Sequence, residues 1–593
     1  MLTLGISCYN HDSAVALYDT KRGIVFAAEE ERFSRKKNDA GFPVGAIRHA
    51  LKQETIPPES IERVIFYEDP EKKLLRVMRS IDRNSDSPQV RCITAQMATY
   101  VQSKLPLKLH LSEALDDAIG VRLPTSRIFI ADHHESHVLS AIASCPFVET
   151  DILCVDAVGE LETVSYWNYS KNRLKKIGSI EYPHSIGLFY STITAFLGFR
   201  VNNGEYKVMG LAAYGEPIFS DILKSNLIEW NSSDGSITLN PKYFTFELGE
   251  QMFSEHLVDL LGFPPRQNSE PIQQHHKDLA ASVQLAAEEA IFSCCQFLHQ
   301  QTGGNHLLLT GGVAQNCLAN SKIPYHTSYK RYWSAPVSGD AGCALGAALS
   351  KSCFANTEFP PSARIQNLFL GRNITDEEAR HELANFSLKY HWFDQPEFTE
   401  CLADSISNGS VVGWAIGRAE YGPRALGNRS ILADPRNPDI RQRLNLITKN
   451  RESFRPFAPV ILDTAFSDWF SGQPNPYMTT LVDFAPTFQK YSNPSSATGC
   501  TEDSALPAVV HKDGTSRVQV LSESDNPRLY RLIEAFAVKT GVPMLLNTSF
   551  NRNEEPIVNS ASDAISCFLA TDIDILCLAE YIVFKNEQRS LHY

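Results

Sequence analysis

The residues that most clearly could do chemistry are two histidines and two aspartates. His133 and His137 stand four residues apart at the start of a predicted helix, so both imidazoles lie on one face and could bind one metal ion. His134 offers a competing i,i+3 spacing to His137, and a polar helix start would need no metal at all. Asp156 ends an apolar strand and Asp340 lies in a glycine turn, where aspartate also serves as a turn former or helix cap. Together the four side chains predict a site with two nitrogen and two oxygen ligands for a divalent ion.

A second candidate is the arginine-rich stretch RAEYGPRALGNRSILADPR at 418–436, followed by KNRESFRPFAP at 449–459. Between positions 418 and 455 the chain has nine Lys or Arg against four Asp or Glu. Guanidinium groups bind phosphate oxygens in pairs, and the intervening glycines and prolines would fix the backbone that carries them. A solvated charged face is the alternative, but such a face more often mixes Lys with Glu. We therefore expect a site for a small phosphate-bearing ligand.

Two turns nearer the C-terminus could add to this anion site. HKDGTSRVQVL places Arg517 in a Gly-Thr-Ser turn before a predicted strand. LLNTSFN supplies Asn547, Thr548, Ser549 and Asn551, a polar turn rich in hydrogen-bond donors and acceptors. Both turns suit a phosphate or a nucleotide.

Glycines at strand ends form a further pattern. Gly303 and Gly304 precede the apolar strand HLLLT and Gly311 and Gly312 follow it, with more glycines in the next turn and helix (339, 342 and 346). Glycines at strand-to-helix turns let backbone amides approach a phosphate. The runs match neither the Walker nor the Rossmann spacing, so tight turns explain them equally well.

The elements that position these residues are predicted from the apolar patterns. Two β-hairpins are predicted, one from LTLGIS with SAVALYD (3–19) and one from DILCVDAVGE with TVSYWNY (151–168). The two hairpins form a weak internal repeat, which fits a two-lobed α/β domain. SRIFIAD predicts a strand leading into the helix of the histidines. A long helix is predicted over 277–300, with HLLLTGG as a buried strand after it. The aperiodic segment 350–366, with its Pro-Pro pair, predicts a linker to a mixed α+β part.

Length and composition limit the class of protein. A chain of 593 residues exceeds what one hydrophobic core usually covers, so two domains are expected. The net charge of −13 disfavours a nucleic-acid partner. No stretch approaches a membrane span, the N-terminus lacks the features of a signal peptide, and the 13 cysteines include no CxxC pair. These features predict a cytoplasmic protein with reduced thiols and no membrane partner.

The motifs, in this order, resemble the O-carbamoyltransferases of antibiotic, nodulation-factor and natural-product biosynthesis. In the N-terminal half the resemblance rests on HDSA (11–14), HHESH (133–137), VDAVGE (155–160), KVMGLAAYG (207–215), GGVAQN (311–316) and GDAGCALGAA (339–348). In the C-terminal half it rests on GPRALGNRS (422–430), KNRESFRPFAP (449–459), DGTSRVQ (513–519) and LNTSFN (546–551). Chance does not account for so many separate motifs in one order.

The resemblance implies both the fold and the chemistry. It implies an N-terminal actin/Hsp70-like domain (a duplicated ribonuclease H-like fold) over 1–352, a linker over 353–366 and a YrdC-like domain over 367–593. In the family, the C-terminal domain converts carbamoyl phosphate and ATP to carbamoyladenylate, releasing phosphate and pyrophosphate. The N-terminal domain then passes the carbamoyl group to a hydroxyl of a small-molecule acceptor. A homodimer is one assembly compatible with the sequence.

The resemblance also implies roles for individual residues. His133, His137, Asp156 and Asp340 would bind the metal, for which iron is the family's ion, although the ligand set would also accept manganese, zinc or magnesium. His11, in the polar turn of the first hairpin, would be the general base for the acceptor hydroxyl. The adenylate would contact Lys207, Gly311, Gly312 and Asn316; carbamoyl phosphate and ATP would be held by Arg424, Asn547, Ser549 and Asn551 and by the catalytic residues Lys449, Arg455 and Arg517.

Two other classes of protein share parts of this pattern. A sugar kinase or an actin/Hsp70-like ATPase would share the N-terminal fold but has no use for the arginine-rich second half. A tRNA-modifying transferase of the carbamoyladenylate type would share both halves and would need a basic surface, which the net charge of −13 disfavours. The sequence does not identify the acceptor.

Overall fold

The protein is represented by a computed structural model that describes residues 1–85, 90, 101, 106–249, 251–350, 359–448, 455–486, 488 and 506–588. Contacts between residues divide the chain into two compact units. Unit 1 comprises Met1–Ser7, Val15–Ile24 and Pro57–Arg364; unit 2 comprises Cys8–Ala14, Val25–Ile56 and Ile365–Tyr593. Residues 353–358 of the predicted linker lie outside the described residues.

The strands of the first 350 residues form two five-stranded sheets and a separate hairpin. Their bounds are β1 (Leu2–Ser7), β2 (Ala14–Asp19), β3 (Gly23–Glu29), β4 (Arg63–Phe66), β5 (Ile128–Ile130), β6 (Thr150–Val155), β7 (Glu162–Ser170), β8 (Arg173–Glu181), β9 (Ile228–Asn231), β10 (Ser236–Leu239), β11 (His306–Thr310) and β12 (Arg331–Ser334). β9 and β10 form the hairpin.

The two five-stranded sheets share one strand order. The first runs β3-β2-β1-β4-β5 and the second β8-β7-β6-β11-β12. In the first, β4 is parallel to β1 and β5; in the second, β11 is parallel to β6 and β12, while β7 is antiparallel to β6 and β8. The predicted hairpins are the equivalent pairs β1–β2 and β6–β7. This repeated order is that of the duplicated ribonuclease H-like fold, which confirms the predicted fold class.

Helices cover these sheets and carry the predicted functional residues. Their bounds are α1 (Glu31–Ser34), α2 (Val44–Gln53), α3 (Pro70–Arg83), α4 (Leu107–Ile119), α5 (His133–Ser144), α6 (Ile186–Phe196), α7 (Glu205–Ala212), α8 (Ser220–Asn226), α9 (Glu255–Leu261), α10 (Gln274–Thr302), α11 (Cys317–His326) and α12 (Asp340–Ala348). The long predicted helix is α10, which ends where Gly303 adopts a left-handed conformation with φ of 66°.

Helices α5 and α12 pack closely, and glycines of the GDAGCALGAA motif allow this. A Cβ atom at Gly346 would lie 1.7 Å from the carbonyl oxygen of Ser136 on α5. A Cβ at Gly342 would lie 1.9 Å from the Val337 carbonyl oxygen, in the turn before α12, and 3.2 Å from the Ser140 hydroxyl. Gly346 therefore serves the packing of helix on helix and Gly342 chiefly the turn before α12, rather than the approach of a phosphate.

Unit 2 is built on an eight-stranded mixed sheet. The strands after residue 359 are β13 (Asn373–Ile374), β14 (His391–Trp392), β15 (Val412–Ala415), β16 (Gly417–Arg418), β17 (Arg429–Ala433), β18 (Ala458–Leu462), β19 (Phe470–Ser471), β20 (Val482–Phe484), β21 (Thr515–Ser516), β22 (Gln519–Leu521), β23 (Met544–Ser549), β24 (Ile575–Leu578) and β25 (Tyr581–Phe584). The sheet order is β14-β25-β24-β15-β17-β23-β18-β22. Parallel pairs (β15 with β24, β18 with β22) stand beside antiparallel ones, which confirms the predicted α+β class.

Helices of unit 2 pack their apolar faces against this sheet. They are α13 (Asp376–Asn385), α14 (Gln395–Ser407), α15 (Ile440–Gln442), α16 (Phe466–Trp469), α17 (Pro527–Thr540), α18 (Ala561–Leu569) and α19 (Lys585–Gln588). The buried core includes Leu402 of α14, Trp414 of β15 and Phe536 of α17. Across the part of the chain that the structure describes, no helix combines the length and the apolar character needed to span a membrane.

An N-terminal segment also belongs to unit 2. Arg32 donates a hydrogen bond to the Gly422 carbonyl (2.7 Å), and the Glu29 carboxylate accepts one from the Gly422 amide (2.7 Å). Arg35 donates to the carbonyl of Ile557 (2.7 Å). The sequence motifs did not indicate that residues 25–56 pack with the C-terminal half.

Candidate functional site

The two histidines and two aspartates of unit 1 converge on one point. Helix α5 begins at His133, so one helical turn places the His133 and His137 rings on the same face, and their Nε2 atoms are 3.1 Å apart. Asp156 follows β6, and its Oδ2 lies 3.2 Å from His133 Nε2 and 3.8 Å from His137 Nε2. Asp340 begins α12, and its Oδ1 lies 3.7 and 3.6 Å from the same two nitrogens. The predicted cluster is therefore present as a geometric arrangement.

The arrangement fits a divalent ion. Ligand atoms that surround an ion at about 2.0–2.2 Å lie roughly 3.0–3.5 Å from their neighbours. The distances between the imidazole nitrogens and the carboxylate oxygens are close to this range, and all four side chains are buried. Two imidazoles with two carboxylates suit a first-row transition ion better than Mg²⁺, which prefers oxygen ligands.

Electrostatics within the cluster favour a positive charge at its centre. Burial opposes a charged imidazole, but the carboxylates of Asp340 and Asp156 outweigh burial and raise the pKa of His133 to about 9. Burial likewise opposes ionisation of Asp156, but hydrogen bonds with His133 and His137 hold its pKa well below the usual range. The cluster thus stabilises a cation, either a proton or a metal ion.

His134 points away from the cluster. Its Nδ1 lies 2.7 Å from the Ser165 hydroxyl, which also accepts a hydrogen bond from the Trp167 indole (2.8 Å). Burial and the neighbouring His133 keep the pKa of His134 well below its ordinary value, so the ring is neutral. The spacing of four residues, not three, is therefore the one that brings imidazoles together.

Two residues that the sequence analysis did not single out support the cluster. The carboxylate of Glu160 accepts hydrogen bonds from the backbone amides of His133 (3.1 Å) and Asp69 (2.5 Å), and so anchors the start of α5. Burial raises the pKa of Glu160 to about 7 despite the nearby His133. Cys343 lies one turn after Asp340 on α12, and its thiol forms a buried group of ligand atoms with His133, His137 and Asp340, all within 4.8 Å of one another. Its i,i+3 spacing to Asp340 is the signal that could have identified it.

The glycine loop after β11 contributes to the cluster in an unexpected way. The amide of Gly312 donates a hydrogen bond to Asp156 Oδ1 (3.0 Å) and so orients that carboxylate. The Asn316 side chain caps α11 by accepting from the Ala319 amide (3.1 Å), and it exchanges two hydrogen bonds with Gln284 (3.0 Å each). The side chain of Asn316 is thereby committed to the fold.

His11 and Lys207 stand in different surroundings. His11 belongs to unit 2, where its Nδ1 lies 3.0 Å from Asp12 Oδ2. Asp12 adopts a left-handed backbone (φ 53°) and accepts a hydrogen bond from the Asn38 amide group (2.7 Å), so the acid beside His11 is itself held in place. Lys207 lies on α7 of unit 1, with its ammonium 5.9 Å from the centre of the Phe199 ring.

The C-terminal motifs lie on neighbouring strands of unit 2. β17, β23, β18 and β22 are adjacent in that order. β23 is antiparallel to β17 and β18, pairing Ser549 with Ser430 and Asn547 with Ala458, whereas β18 and β22 are parallel. The starts of β17, β18 and β22 and the end of β23 therefore share one edge of the sheet. Lys449, in the segment before β18, lies outside the described residues.

Predicted anion-binding residues flank this edge. Arg424 precedes β17, Arg455 precedes β18 and Arg517 precedes β22, while Ser549 ends β23 and Asn551 follows it. Strand order thus brings residues from four separate motifs to one edge. All three arginines are half-buried, which suits guanidinium groups that must reach a ligand.

The predicted polar turn is mostly the end of β23, and its side chains are partly committed to the fold. Asn547 donates to the Ala425 carbonyl (3.2 Å) and to the Gln519 side chain (2.8 Å), whereas its buried Oδ1 accepts no hydrogen bond from any described residue. The hydroxyl of Ser549 donates to Asn551 Oδ1 (2.7 Å). Asn547 Oδ1 is therefore an acceptor suited to a bound ligand.

The other arginines of the stretch 418–436 serve the fold. Arg429 is fully buried and donates to five backbone carbonyls, those of Arg372, Ile416, Gly417, Asn428 and Asn559. Burial lowers its pKa to about 10, although Glu420 opposes the shift. Arg418 donates to the carbonyls of Val25, Leu370 and Gly371, and Arg436 makes a two-point ion pair with Asp434 (2.6–3.1 Å).

The carboxylate of Glu420 accepts hydrogen bonds from backbone amides of the GPRALGNRS loop. Its Oε1 accepts from the amides of Leu426 (2.7 Å), Asn428 (2.9 Å) and Arg429 (3.1 Å). A carboxylate of the protein thus takes the place at these amides that a phosphate could have had. Arg424 remains the group of this loop suited to an anionic ligand.

Comparison with known proteins identifies family models that match both halves of the chain. The families described as Carbamoyltransferase N-terminus and Carbamoyltransferase C-terminus match residues 2–349 and 403–585. An uncharacterised Synechocystis protein is 38% identical over 99% of this chain and 97% of its own length. The nodulation protein NolNO of Sinorhizobium fredii is 33% identical over 98% of this chain and 79% of its own length.

More distant similarities extend these findings. The 3′-hydroxymethylcephem-O-carbamoyltransferase of Amycolatopsis lactamdurans is 28% identical over 74% of this chain and 77% of its own length. Among solved structures, component A of the (R)-2-hydroxyglutaryl-CoA dehydratase of Acidaminococcus fermentans is 13% identical, with a TM-score of 0.31 over 59% of this chain and 96% of its own. A TM-score this low does not by itself establish a common fold. The two family matches and the long alignments do establish that the chain belongs to the carbamoyltransferase family.

Proposed function

We propose that the protein is an O-carbamoyltransferase that forms carbamoyladenylate from carbamoyl phosphate and ATP and then carbamoylates a hydroxyl of a small molecule. The observation that carries this proposal is the buried convergence of His133, His137, Asp156 and Asp340. An ATPase or sugar kinase needs Mg²⁺ held by oxygen ligands and has no need of paired imidazoles. A transferred carbamoyl group has a carbonyl that a transition ion on paired imidazoles can polarise as a Lewis acid.

The first step is assigned to unit 2. Carbamoyl phosphate and ATP are both anionic, and Arg424, Arg455 and Arg517 converge on one edge of the sheet. Each guanidinium can bind two phosphate oxygens, which both positions the reactants and offsets their mutual repulsion. Water cleaves carbamoyl phosphate to carbamate and phosphate, and a carbamate oxygen then attacks the α-phosphorus of ATP. Pyrophosphate leaves, and the carbamoyl group remains on AMP. Asn547 Oδ1 can accept a hydrogen bond from an amino group of the carbamoyl moiety or of the base.

The second step is assigned to unit 1. A divalent ion held by the four ligands would polarise the carbamoyl carbonyl and stabilise the charge that develops on its oxygen. The Gly312 amide orients Asp156, and Glu160 fixes the start of the helix that carries His133. Iron is the ion that the family suggests, and the donor set also fits manganese or zinc.

The proton transfer of the second step is proposed for His11 on the resemblance of the HDSA motif alone, since His11 belongs to unit 2. Asp12 holds the ring through Nδ1, so Nε2 is the atom that would take the proton of the acceptor hydroxyl. Asn38 in turn holds Asp12. This arrangement keeps one ring orientation, which a general base requires.

The acceptor is proposed only as a class. Relatives of this chain include a nodulation protein and an enzyme named for a hydroxymethylcephem. Both names are compatible with a small molecule as the acceptor.

The experiment separates the two steps. Pyrophosphate release is measured with carbamoyl phosphate and ATP, beside mass spectrometry for a gain of about 43 Da on candidate acceptors. Arg455→Gln and Arg517→Gln should lose pyrophosphate and product together. Asp156→Asn and Asp340→Asn should keep pyrophosphate release but yield no product, because the adenylate decays unused. Arg436→Gln, whose arginine pairs with Asp434, is the matched control and should keep both activities.

Two outcomes would contradict the proposal. Full activity in the Arg455 and Arg517 variants would mean that the arginine-rich motifs are structural. Complete loss of pyrophosphate release in folded Asp156 and Asp340 variants would mean that the two steps share one active site.

A further inference from the structure

Helix α12 presents two ligand-type side chains on one face. Asp340 is its first residue and Cys343 follows three residues later, so both side chains project from the same side of the helix. Gly342 and Gly346 occupy the face that packs against α5. The close approach of the two helices places the Cys343 thiol beside the imidazoles of α5.

The thiol lies within reach of one ion. The ligand atoms of His133, His137, Asp340 and Cys343 all lie within 4.8 Å of one another, and all four residues are buried. Ligands on opposite sides of an ion are about 4.4 Å apart when the metal–nitrogen bond is about 2.1 Å and the metal–sulfur bond about 2.3 Å. The thiol is therefore close enough to the other three side chains to share one ion with them.

Asp156 and Cys343 stand on different elements, and Asp156 is not one of the four residues of that group. The Gly312 amide binds Asp156 Oδ1, which leaves Oδ2 facing the imidazoles. The thiol approaches from α12, the element that also carries Asp340. A second buried thiol, Cys154 on β6, lies two residues before Asp156 but is not part of the group within 4.8 Å.

We propose that Cys343 is a further ligand of the metal centre, bound as a thiolate beside two imidazoles and the carboxylates. This inference rests on the metal site of the proposed function. On binding, the S–H bond breaks, the sulfur keeps the electron pair and donates it to the metal ion, and the proton leaves to solvent. No oxidant or reductant takes part. A sulfur ligand favours iron, cobalt or zinc over magnesium and manganese, and so narrows the ions that the other ligands accept.

Cobalt provides a test that needs no acceptor and no activity. The full-length protein is stripped of metal with a chelator and titrated with Co²⁺. Visible d–d bands report binding of the ion, and a near-ultraviolet charge-transfer band reports a cobalt–thiolate bond. We expect one equivalent of Co²⁺ to produce both signals in the wild-type protein.

Two single variants assign the sulfur. Cys343→Ser should keep the d–d bands, lose the charge-transfer band and bind Co²⁺ at least about tenfold more weakly, the lower end of the range seen when partners of metal ligands are removed. Cys154→Ser is the matched control and should keep both signals. If Cys343→Ser fails to fold, the wild-type spectrum compared with that of Cys154→Ser still decides.

The outcomes separate this inference from the proposed function. Stoichiometric d–d bands without a charge-transfer band in the wild-type protein would overturn the Cys343 ligand and leave the metal site intact. Loss of the charge-transfer band in Cys154→Ser alone would also overturn it. Failure of the wild-type protein to bind Co²⁺ at all would overturn both the ligand and the metal site beneath it.

Discussion

The histidine and aspartate cluster of unit 1 and the arginine-rich stretch of unit 2 are both dense in ionisable residues, but the fold uses them differently. In the cluster, each of the four predicted ligands directs an atom to the same point. In the stretch 418–436, Arg418 and Arg429 bind backbone carbonyls and Arg436 binds Asp434. Of the arginines in that stretch, Arg424 remains the candidate for a ligand.

The difference lies in what each pattern constrains. Four-residue spacing on a helix and a position at a strand end are geometric statements, because they fix directions in space. A high count of arginine is only a statement about composition. A guanidinium carries five N–H donors, and these satisfy carbonyls at strand ends as well as phosphate oxygens. Spacing therefore predicts a site more reliably than charge density does.

The largest effect on metal content is expected when the two imidazoles of the cluster are removed. The double variant His133→Ala with His137→Ala should lose all bound metal, because two of the four ligands go. Elemental analysis of purified protein should fall from about one ion per chain to none. Circular dichroism checks that the variant is folded.

A matched variant tests the spacing itself. His134→Gln should retain the metal, since that ring hydrogen-bonds to Ser165 and not to the cluster. Loss of the ion in His134→Gln alone would show that the ligands are the i,i+3 pair His134 and His137. Equal metal content in the wild type and in the double variant would show that these histidines do not bind the ion.

Much of unit 1 could be predicted because its signals are local. The hairpins, the strand before α5 and the long helix α10 follow from periodicity, and the helix was expected over 277–300 against Gln274–Thr302 in the structure. Unit 2 depends on contacts between distant residues. The pairing of Glu420 with the loop amides and the contact of Arg32 with Gly422 have no signal in local spacing.

The second test distinguishes a structural arginine from a ligand-binding one in the same loop. Arg429→Met should lower the free energy of unfolding by about 3–5 kcal/mol, because five carbonyls lose their donor and Glu420 loses a buried positive neighbour. Arg424→Met, the same substitution at a half-buried position, should change unfolding far less while weakening carbamoyl phosphate binding. Denaturant melts and calorimetric titration measure the two effects. Equal stability of the two variants would contradict the assignment.

The third test concerns the glycine loop after β11. Asn316→Ala should lower the free energy of unfolding by about 2 kcal/mol, since α11 loses its cap and the Gln284 side chain loses two hydrogen bonds. Asn316→Asp keeps the capping acceptor and should retain part of that stability. A large loss of ATP affinity in Asn316→Ala without any loss of stability would show instead that the side chain binds the nucleotide.

The smallest effect is expected where the arginine-rich stretch reaches the surface. Arg436 is about one-third exposed and pairs with Asp434, which is buried and also accepts from the Arg436 amide (2.9 Å). Solvent screens the guanidinium, so Arg436→Gln should cost about 1 kcal/mol or less in denaturant melts. Asp434 keeps its backbone donor in this variant, which is a further reason for a small change. Carbamoyl phosphate affinity should be unchanged, because the ion pair is directed at the protein and not at a ligand. A tenfold loss of affinity would place Arg436 in the anion site, and the stretch would then act as a single binding surface, as its composition alone had suggested.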